Sequence, residues 1–351
     1  MANPRACILS VSGAKLTADE RKLLNEKNPW GMILMGRSCV TPEQVKALTA
    51  DIWSCLGREA LIFIDQEGGR VRRLKPPVWP DFPAPGKYGE LYKLDRKAAV
   101  EASWLHHRLI AAELEPMGIR ADCAPVVDLR HPGKHDIVGD RSFGDNPEQV
   151  AELAAAALEG LEAGGVAGVI KHMPGHGRAE VDSHESMPIV RDSREELLAD
   201  ISPFHALNDA PMGMTAHLAF TAFDGERAAT HSETIIHAVI RGQIGFDGLL
   251  MTDDLGMNAL GGTLAERASK GIIAGCDVAL HCSGFLKEPS AIRAEMAEVA
   301  DAVPELSGDA LRRAKIAEKA TLNKEPFDRA QGWEQLHKLL SRLPPSGTAA
   351  A

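Results

Sequence analysis

Fourteen consecutive residues, Lys171 to His184 (KHMPGHGRAEVDSH), carry three histidines, a lysine, an arginine and two acids, set among two glycines and a proline. A solvated turn needs polar side chains but has no use for three imidazoles, whose ordinary pKa of about 6.5 suits them to moving protons or holding a metal. The stretch follows directly on the apolar run Gly165 to Ile170. Short apolar runs bounded by Gly and Pro read as buried strands, and the loop leaving the C-terminal end of such a strand is where α/β enzymes keep their chemistry.

Three more segments have the same form. DQEGGRVRR sets Asp65 and Glu67 beside Arg70, Arg72 and Arg73; GDRSFG presents Asp140 and Arg141; MTDDLGM presents Asp253 and Asp254; and His217 follows another apolar run. Acids at strand ends point to glycoside chemistry, because an oxocarbenium-like transition state needs one carboxylate beneath the anomeric carbon and a proton donor beside the leaving oxygen. Asp253 is the natural nucleophile, held at the end of a buried strand. Asp254 has by then turned towards the next helix and reads as a cap or a supporting acid. Arg73, Arg141 and Lys171 would donate to sugar hydroxyls and Asp65 would accept from them. Arg70 and Arg72 read as surface charges or as partners of Glu67.

Two other classes of function compete. His172, His176 and His184 with Asp182 permit a metal site; against a zinc hydrolase stand the lysine beside His172 and the lack of HExxH or a comparable ligand spacing. A protein that only bound sugar could use the same arginines and Lys171, but it would not need Asp253 and His184 together.

The elements that must position these residues alternate along the chain. Apolar runs of strand length lie at Ala6 to Val11, Gly31 to Met35, Ala60 to Ile64, Ile119 to Leu129, Val166 to Ile170, Met212 to Ala216, Gly248 to Met251 and Asp277 to His281. Helix-like stretches separate them, among them Pro42 to Leu56, Lys97 to Leu114, Pro147 to Ala163, Arg194 to Leu207, Thr234 to Gln243 and Leu264 to Ala274, with cap-like openings at Thr41-Pro42-Glu43 and Asp192-Ser193. Buried strands alternating with helices argue for a parallel sheet, and eight repeats close naturally into an α/β (β/α)8 TIM barrel; a doubly wound open sheet is the alternative. Residues 1–340 are expected to form this single domain, with helices after Ser283 covering its outside and residues 341–351 a disordered tail.

Composition narrows the partner. Lys+Arg 39 against Asp+Glu 49 gives a net charge of -10, and no basic block of the kind that tracks phosphates is present, so nucleic acid is excluded in favour of a small neutral or polar molecule. The N-terminal apolar run is too short for a signal sequence and no stretch is long enough to span a bilayer, which predicts a cytoplasmic protein with no membrane partner. Six cysteines without a CxxC pair, several inside apolar runs, read as buried reduced thiols.

The four motifs, in this order over about Ile8 to Gly284, resemble glycoside hydrolase family 3, and within it the single-domain bacterial β-N-acetylglucosaminidases of peptidoglycan recycling. The resemblance implies that Asp253 is the catalytic nucleophile, that His184 is the histidine acid/base of this branch and that Asp182 is its dyad partner. It implies too that Asp65, Arg73, Arg141, Lys171 and His172 hold the N-acetylglucosamine ring, that no metal or organic cofactor takes part, and that the partner is a small carbohydrate, a muropeptide or a chitooligosaccharide, bound by a monomer. With no second domain expected after the barrel, the proton donor must come from the barrel itself, and Asp182 with His184 is a titratable pair two residues apart. The sequence departs from the family pattern at Met173, where phenylalanine is usual, and at Arg178, where Asp or Asn is common. Met173 is a neutral apolar exchange; Arg178 is expected to alter the charge of a mobile loop.

Overall fold

A run with apolar residues at every position has no face to turn to water, so it must be covered on both sides. In the computed structural model, which describes residues 2–134, 136–179 and 187–344, such runs lie side by side as parallel strands. They are β1 (Arg5–Leu9), β2 (Pro29–Leu34), β3 (Leu61–Ile64), β4 (Ala121–Asp122), β5 (Ala167–Met173), β6 (Met212–Thr215), β7 (Leu249–Met251) and β8 (Ala279–His281). Each pairs with its neighbours in chain order, β8 pairs with β1, and the parallel bridge Met251 to Val278 joins β7 to the start of β8. The ring is that of a (β/α)8 barrel, as expected.

The outer layer is α1 (Ala18–Lys27), α2 (Pro42–Leu56), α3 (Gly86–Leu94), α4 (Arg96–Leu114), α5 (Pro147–Glu162), α6 (Arg194–Ala206), a π-wound helix over Ile235–Ile244, α7 (Leu264–Ala274) and α8 (Pro289–Ala302). The anticipated caps form. Thr41 Oγ1 accepts from Gln44 N ahead of Pro42, and Ser193 forms a reciprocal capping box with Glu196, each such cap contributing about 1 kcal/mol. Two further helices follow, α9 (Gly308–Lys319) and α10 (Arg329–Leu340). Helix α9 lies across the N-terminal mouth, where Glu318 accepts from the Trp30 indole at 2.8 Å and Arg313 pairs with Asp277 at 3.1 Å. Helix α10 packs on α4, and its Trp333 lies against Phe82 in the segment before α3. All six cysteines are free thiols, four of them buried, and no helix among the described residues is long and apolar enough to cross a membrane.

Two strands depart from the sequence reading. Regular pairing in β4 covers only Ala121–Asp122 of the expected Ile119 to Leu129, because Pro125 has no N–H to give the ladder; contact with β5 resumes at Val127, whose N–H donates to Lys171 O at 2.8 Å. Strand β5 instead runs beyond Ile170 to Met173, and its register against β6 shifts between Ile170 and Met173. Lys171 and His172 therefore sit on an irregular strand end rather than in a loop, and such a bulge re-aims side chains.

The core also buries polar rings. On α4, His107 contacts Ser103 O at 2.8 Å, and His106 lies between the Tyr88 hydroxyl at 2.5 Å and Glu67 O at 3.4 Å. The Glu67 carbonyl can only accept, so His106 Nε2–H donates to it and Nδ1 accepts from Tyr88, which fixes the neutral ring. Burial pushes His107 down to about 4 and His106 well below its ordinary value. Between about pH 6.5 and 4 the unfolded chain takes up protons that the folded chain refuses, so these rings make stability rise with pH across that window. Asp122, which burial pushes up to about 8, has the opposite slope over the same range but is a single group. The melting temperature should therefore fall as pH drops from 6.5 to 4.5, and His107→Gln should flatten the fall. Thermal denaturation at three pH values checks this, and a melting temperature that rises towards pH 4.5 contradicts it.

Candidate active site

Side chains at the C-terminal ends of barrel strands face a common mouth, which makes convergence a test of the strand-end motifs. Asp65, after β3, Lys171 and His172, at the end of β5, and Asp253, after β7, line one cavity of about 400 Å³ together with Arg73 and Arg141. The six described residues expected to attack or hold the sugar meet there. Asp182 and His184 lie outside the described residues. A second hollow of about 510 Å³, walled by Ala228, Leu260, Ile273 and Ala274, holds none of these groups.

The segment after β3 owes its shape to two glycines and a glutamine. Gly68 and Gly69 have φ of +90° and +57°, and a Cβ on Gly68 would lie 2.4 Å from Pro83 O, so the turn has room only for glycine. The buried Gln66 side chain accepts from the N–H groups of Arg73 and Leu74 and donates to Leu74 O, while its own N–H donates to Asp122. This brace sets Asp65, Glu67 and Arg73 around the mouth.

What it assembles is a buried charge network. Asp65 accepts from Arg73 at 2.6 Å and from Lys171 at 3.3 Å; Glu67 takes both arms of Arg141, each at 2.8 Å, and pairs with Lys171 at 2.7 Å. Burial alone would raise the two carboxyls, but the cations outweigh it. Arg73 and Lys171 hold Asp65 well below the usual carboxylate range, and Arg141 and Lys171 bring Glu67 down to about 2. Burial would likewise lower Lys171, yet Glu67 and Asp65 raise it. Glu67 was not among the sequence candidates. Its suggested partners are engaged elsewhere, Arg70 with Asp140 and the carbonyls of Asp136 and Ile137, and Arg72 with Asp81. Neither is a partner of Glu67; Arg70 is exposed at the rim of the cavity and Arg72 is half-buried.

Asp128 is a second residue the sequence reading passed over. Its buried carboxylate accepts from the backbone N–H of His172 at 3.1 Å and of His176 at 2.7 Å, and it faces His172 Nδ1 at 2.7 Å. The contacts with His172 and His176 outweigh the burial that would raise it and keep it low. An ionised carboxylate only accepts, so Nδ1 carries the proton and Nε2 is turned to the cavity. His176, pushed down to about 4 by burial and by His172, lies beside it as a neutral ring.

On the opposite wall Asp253 Oδ1 accepts from Asp254 N at 2.7 Å. Asp254 is the supporting acid the sequence suggested, though not a helix cap: it accepts from Cys282 N and Gly256 N, both at 3.0 Å, and contacts His281 at 3.4 Å. His217 is buried between Thr230 and Asp254 O and does not line the cavity. Arg178 pairs with Asp192 and Asp200, against α6 and the segment before it; the rest of its loop, residues 180–186, lies outside the described residues. Met173 is fully buried against Gly213, in keeping with an apolar exchange. Among the described residues no three His, Cys, Asp or Glu side chains are grouped to hold a metal ion.

Comparison with known proteins gives a consistent result. Residues 5–321 match the model of the glycosyl hydrolase family 3 N terminal domain. The chain is 37% identical over 302 residues, 85% of either chain, to a β-hexosaminidase of Alkalilimnicola ehrlichii. Its fold is similar to the crystal structure of NagZ from Neisseria gonorrhoeae in complex with N-trifluoroacetyl-D-glucosamine, with 30% identity, coverage of 97% and 98% of the two chains and a TM-score of 0.82. It is equally similar to that NagZ in complex with a zinc ion, with 30% identity, coverage of 97% and 99% and a TM-score of 0.82.

The charge network has a measurable cost of disruption. Glu67→Gln leaves Arg141 buried without its carboxylate partner and Lys171 with Asp65 alone, and removing one partner of a buried ion pair costs about 3–5 kcal/mol. Urea denaturation at pH 7 should show a loss of that order; a loss below about 1 kcal/mol would show instead that water screens the network as it does a surface pair.

Proposed function

The chain belongs to glycosyl hydrolase family 3 and is a glycosidase with β-N-acetylhexosaminidase activity, and on that premise we propose that it is a retaining exo-enzyme removing non-reducing-end N-acetylglucosamine from peptidoglycan fragments. N-acetylglucosaminyl-1,6-anhydro-N-acetylmuramoyl peptides are the substrates of this reading, met by a monomer in the cytoplasm. One observation carries it: Asp253 faces Asp65, Arg73, Arg141, Lys171 and His172 across a single cavity of about 400 Å³, near the lower end of the size range of small-molecule sites and suited to one sugar ring.

In this reading the ring hydroxyls replace water on the outer faces of Asp65, Arg73, Arg141 and Lys171, whose inner faces are already paired. His172 presents Nε2 to a further hydroxyl, as Asp128 fixes Nδ1. That a similar structure binds N-trifluoroacetyl-D-glucosamine supports an N-acylated glucosamine as the sugar held. Asp253, oriented by the Asp254 N–H, attacks the anomeric carbon; the C1–O bond to the aglycone breaks as the leaving oxygen takes a proton, and a covalent glycosyl–Asp253 ester forms. His184 supplies that proton and then takes one from the water that hydrolyses the ester, with Asp182 orienting its ring. The roles of His184 and Asp182 rest on the resemblance in KHMPGHGRAEVDSH. Metal has no step in this scheme, since three cations already crowd the cavity beside His172.

Kinetics separates the two principal roles. Asp253→Ala should abolish turnover of every leaving group, and the wild-type product should keep the β configuration by NMR. His184→Ala should still glycosylate Asp253 from p-nitrophenyl β-N-acetylglucosaminide, because nitrophenolate leaves without a proton, and then stall, giving a burst and a slow steady state; unactivated disaccharides should be nearly inert. An inverted product, or equal losses on both substrates, would show the roles wrongly assigned. Dialysis against EDTA should leave kcat/KM as it was, whereas loss restored by added zinc would return the histidines to a metal site.

A further inference from the structure

A single exposed apolar side chain is ordinary on a protein surface, so the 63% exposure of Phe285 says little by itself. Its placement says more. Phe285 lines the cavity that contains Asp253, and among the described residues it is the only Phe, Tyr or Trp that does. The remaining wall is charged around Asp65, Lys171 and Arg141 and aliphatic around Ile33, Met214 and Leu280.

The turn that carries Phe285 is tied down. Arg37 donates to Ser283 O at 3.1 Å, to Cys282 O at 2.9 Å and to Val11 O at 2.8 Å, while Cys282 N donates to Asp254 at 3.0 Å. Ser283 takes the left-handed conformation, with φ of +47°, and its hydroxyl lies 3.0 Å from His281 Nε2. A Cβ on Gly284 would stand 4.0 Å from Asp254 Oδ2. The ring is thus presented at the mouth by a turn anchored to the neighbour of Asp253. An aromatic side chain with this much exposed surface at the rim of a sugar site suits a pyranose, whose equatorial hydroxyls leave C–H bonds on either face and whose apolar area a ring can cover.

The charged inner wall and its volume account for one sugar, so the second sugar of a disaccharide must lie at the mouth. Building on the function proposed above, we propose that Phe285 is the platform for the sugar on the leaving-group side of the scissile bond, and so a specificity-determining residue for the aglycone.

The test compares two substrates with the same glycone: diacetylchitobiose, which has a second ring, and N-acetyl-β-glucosaminyl fluoride, which has none. In Phe285→Ala the ratio of kcat/KM for the disaccharide to that for the fluoride should fall roughly tenfold, mainly through KM. Phe285→Trp should restore the ratio. Because it is a ratio, loss of folded protein cancels. A wild-type ratio in Phe285→Ala overturns the proposal, as does a fall that Trp does not reverse. Failure of the wild-type protein to hydrolyse the fluoride would instead refute the reading of the active site on which the proposal rests.

Discussion

Everything at the mouth of this barrel depends on holding charge out of water. Arg73, Arg141 and Lys171 are drawn into a cavity where a lone cation would be prohibitively costly, and Asp65 and Glu67 compensate them at 2.6–3.3 Å. One positive charge remains in excess, and Asp253 across the cavity supplies the matching carboxylate. That balance bears on the chemistry. A glycosyl transfer builds positive charge on the sugar ring, and uncompensated guanidinium or ammonium groups around it would oppose that charge; with Glu67 and Asp65 behind them, the same groups can donate hydrogen bonds without doing so. A neutral sugar is the complement of such a site.

The network also explains which parts of the site could be read from sequence. Asp65, Lys171, His172 and Asp253 were legible because each stands at or just beyond the end of a buried strand, Arg73 and Arg141 because they lie in the longer segments that follow the third and fourth strands, and the alternation of strands with helices fixes which ends meet. Glu67 and Asp128 were not, because what marks them is a partner far along the chain: Arg141 lies 74 positions from Glu67 and His172 lies 44 from Asp128. The partners of Arg178 were hidden for the same reason, since Asp200 is 22 positions away.

Strand limits failed for local reasons. Pro125 removes a donor in the middle of an otherwise strand-like run, and an apolar pattern cannot register a missing N–H. At β5 the polar Lys171 and His172 look like the start of a loop, yet both are buried. They can remain on the strand because Glu67 and Asp128 satisfy them there. Polarity marks a strand's end only when water is the sole partner on offer.

The last constraint concerns the seam. Between β7 and β8 the ladder is a single bridge, from Met251 to Val278, with a further backbone bond from Leu255 N to Leu280 O at 3.0 Å, and side chains reinforce it. Thr252 Oγ1 accepts from Leu280 N at 2.9 Å, and Asp254 Oδ1 accepts from Cys282 N at 3.0 Å. These bonds tie Thr252 and Asp254 to β8 and fix the backbone on either side of Asp253, which lines the cavity just beyond the end of β7. Burial would raise Asp254, but its contact with His281 keeps it low, while His281, held by Asp254 and Glu295 against burial, is raised to about 9. The second acid of the pair is therefore the condition for the first: the bonds that close the barrel are the ones that aim Asp253, and the turn carrying Phe285 hangs from the same carboxylate.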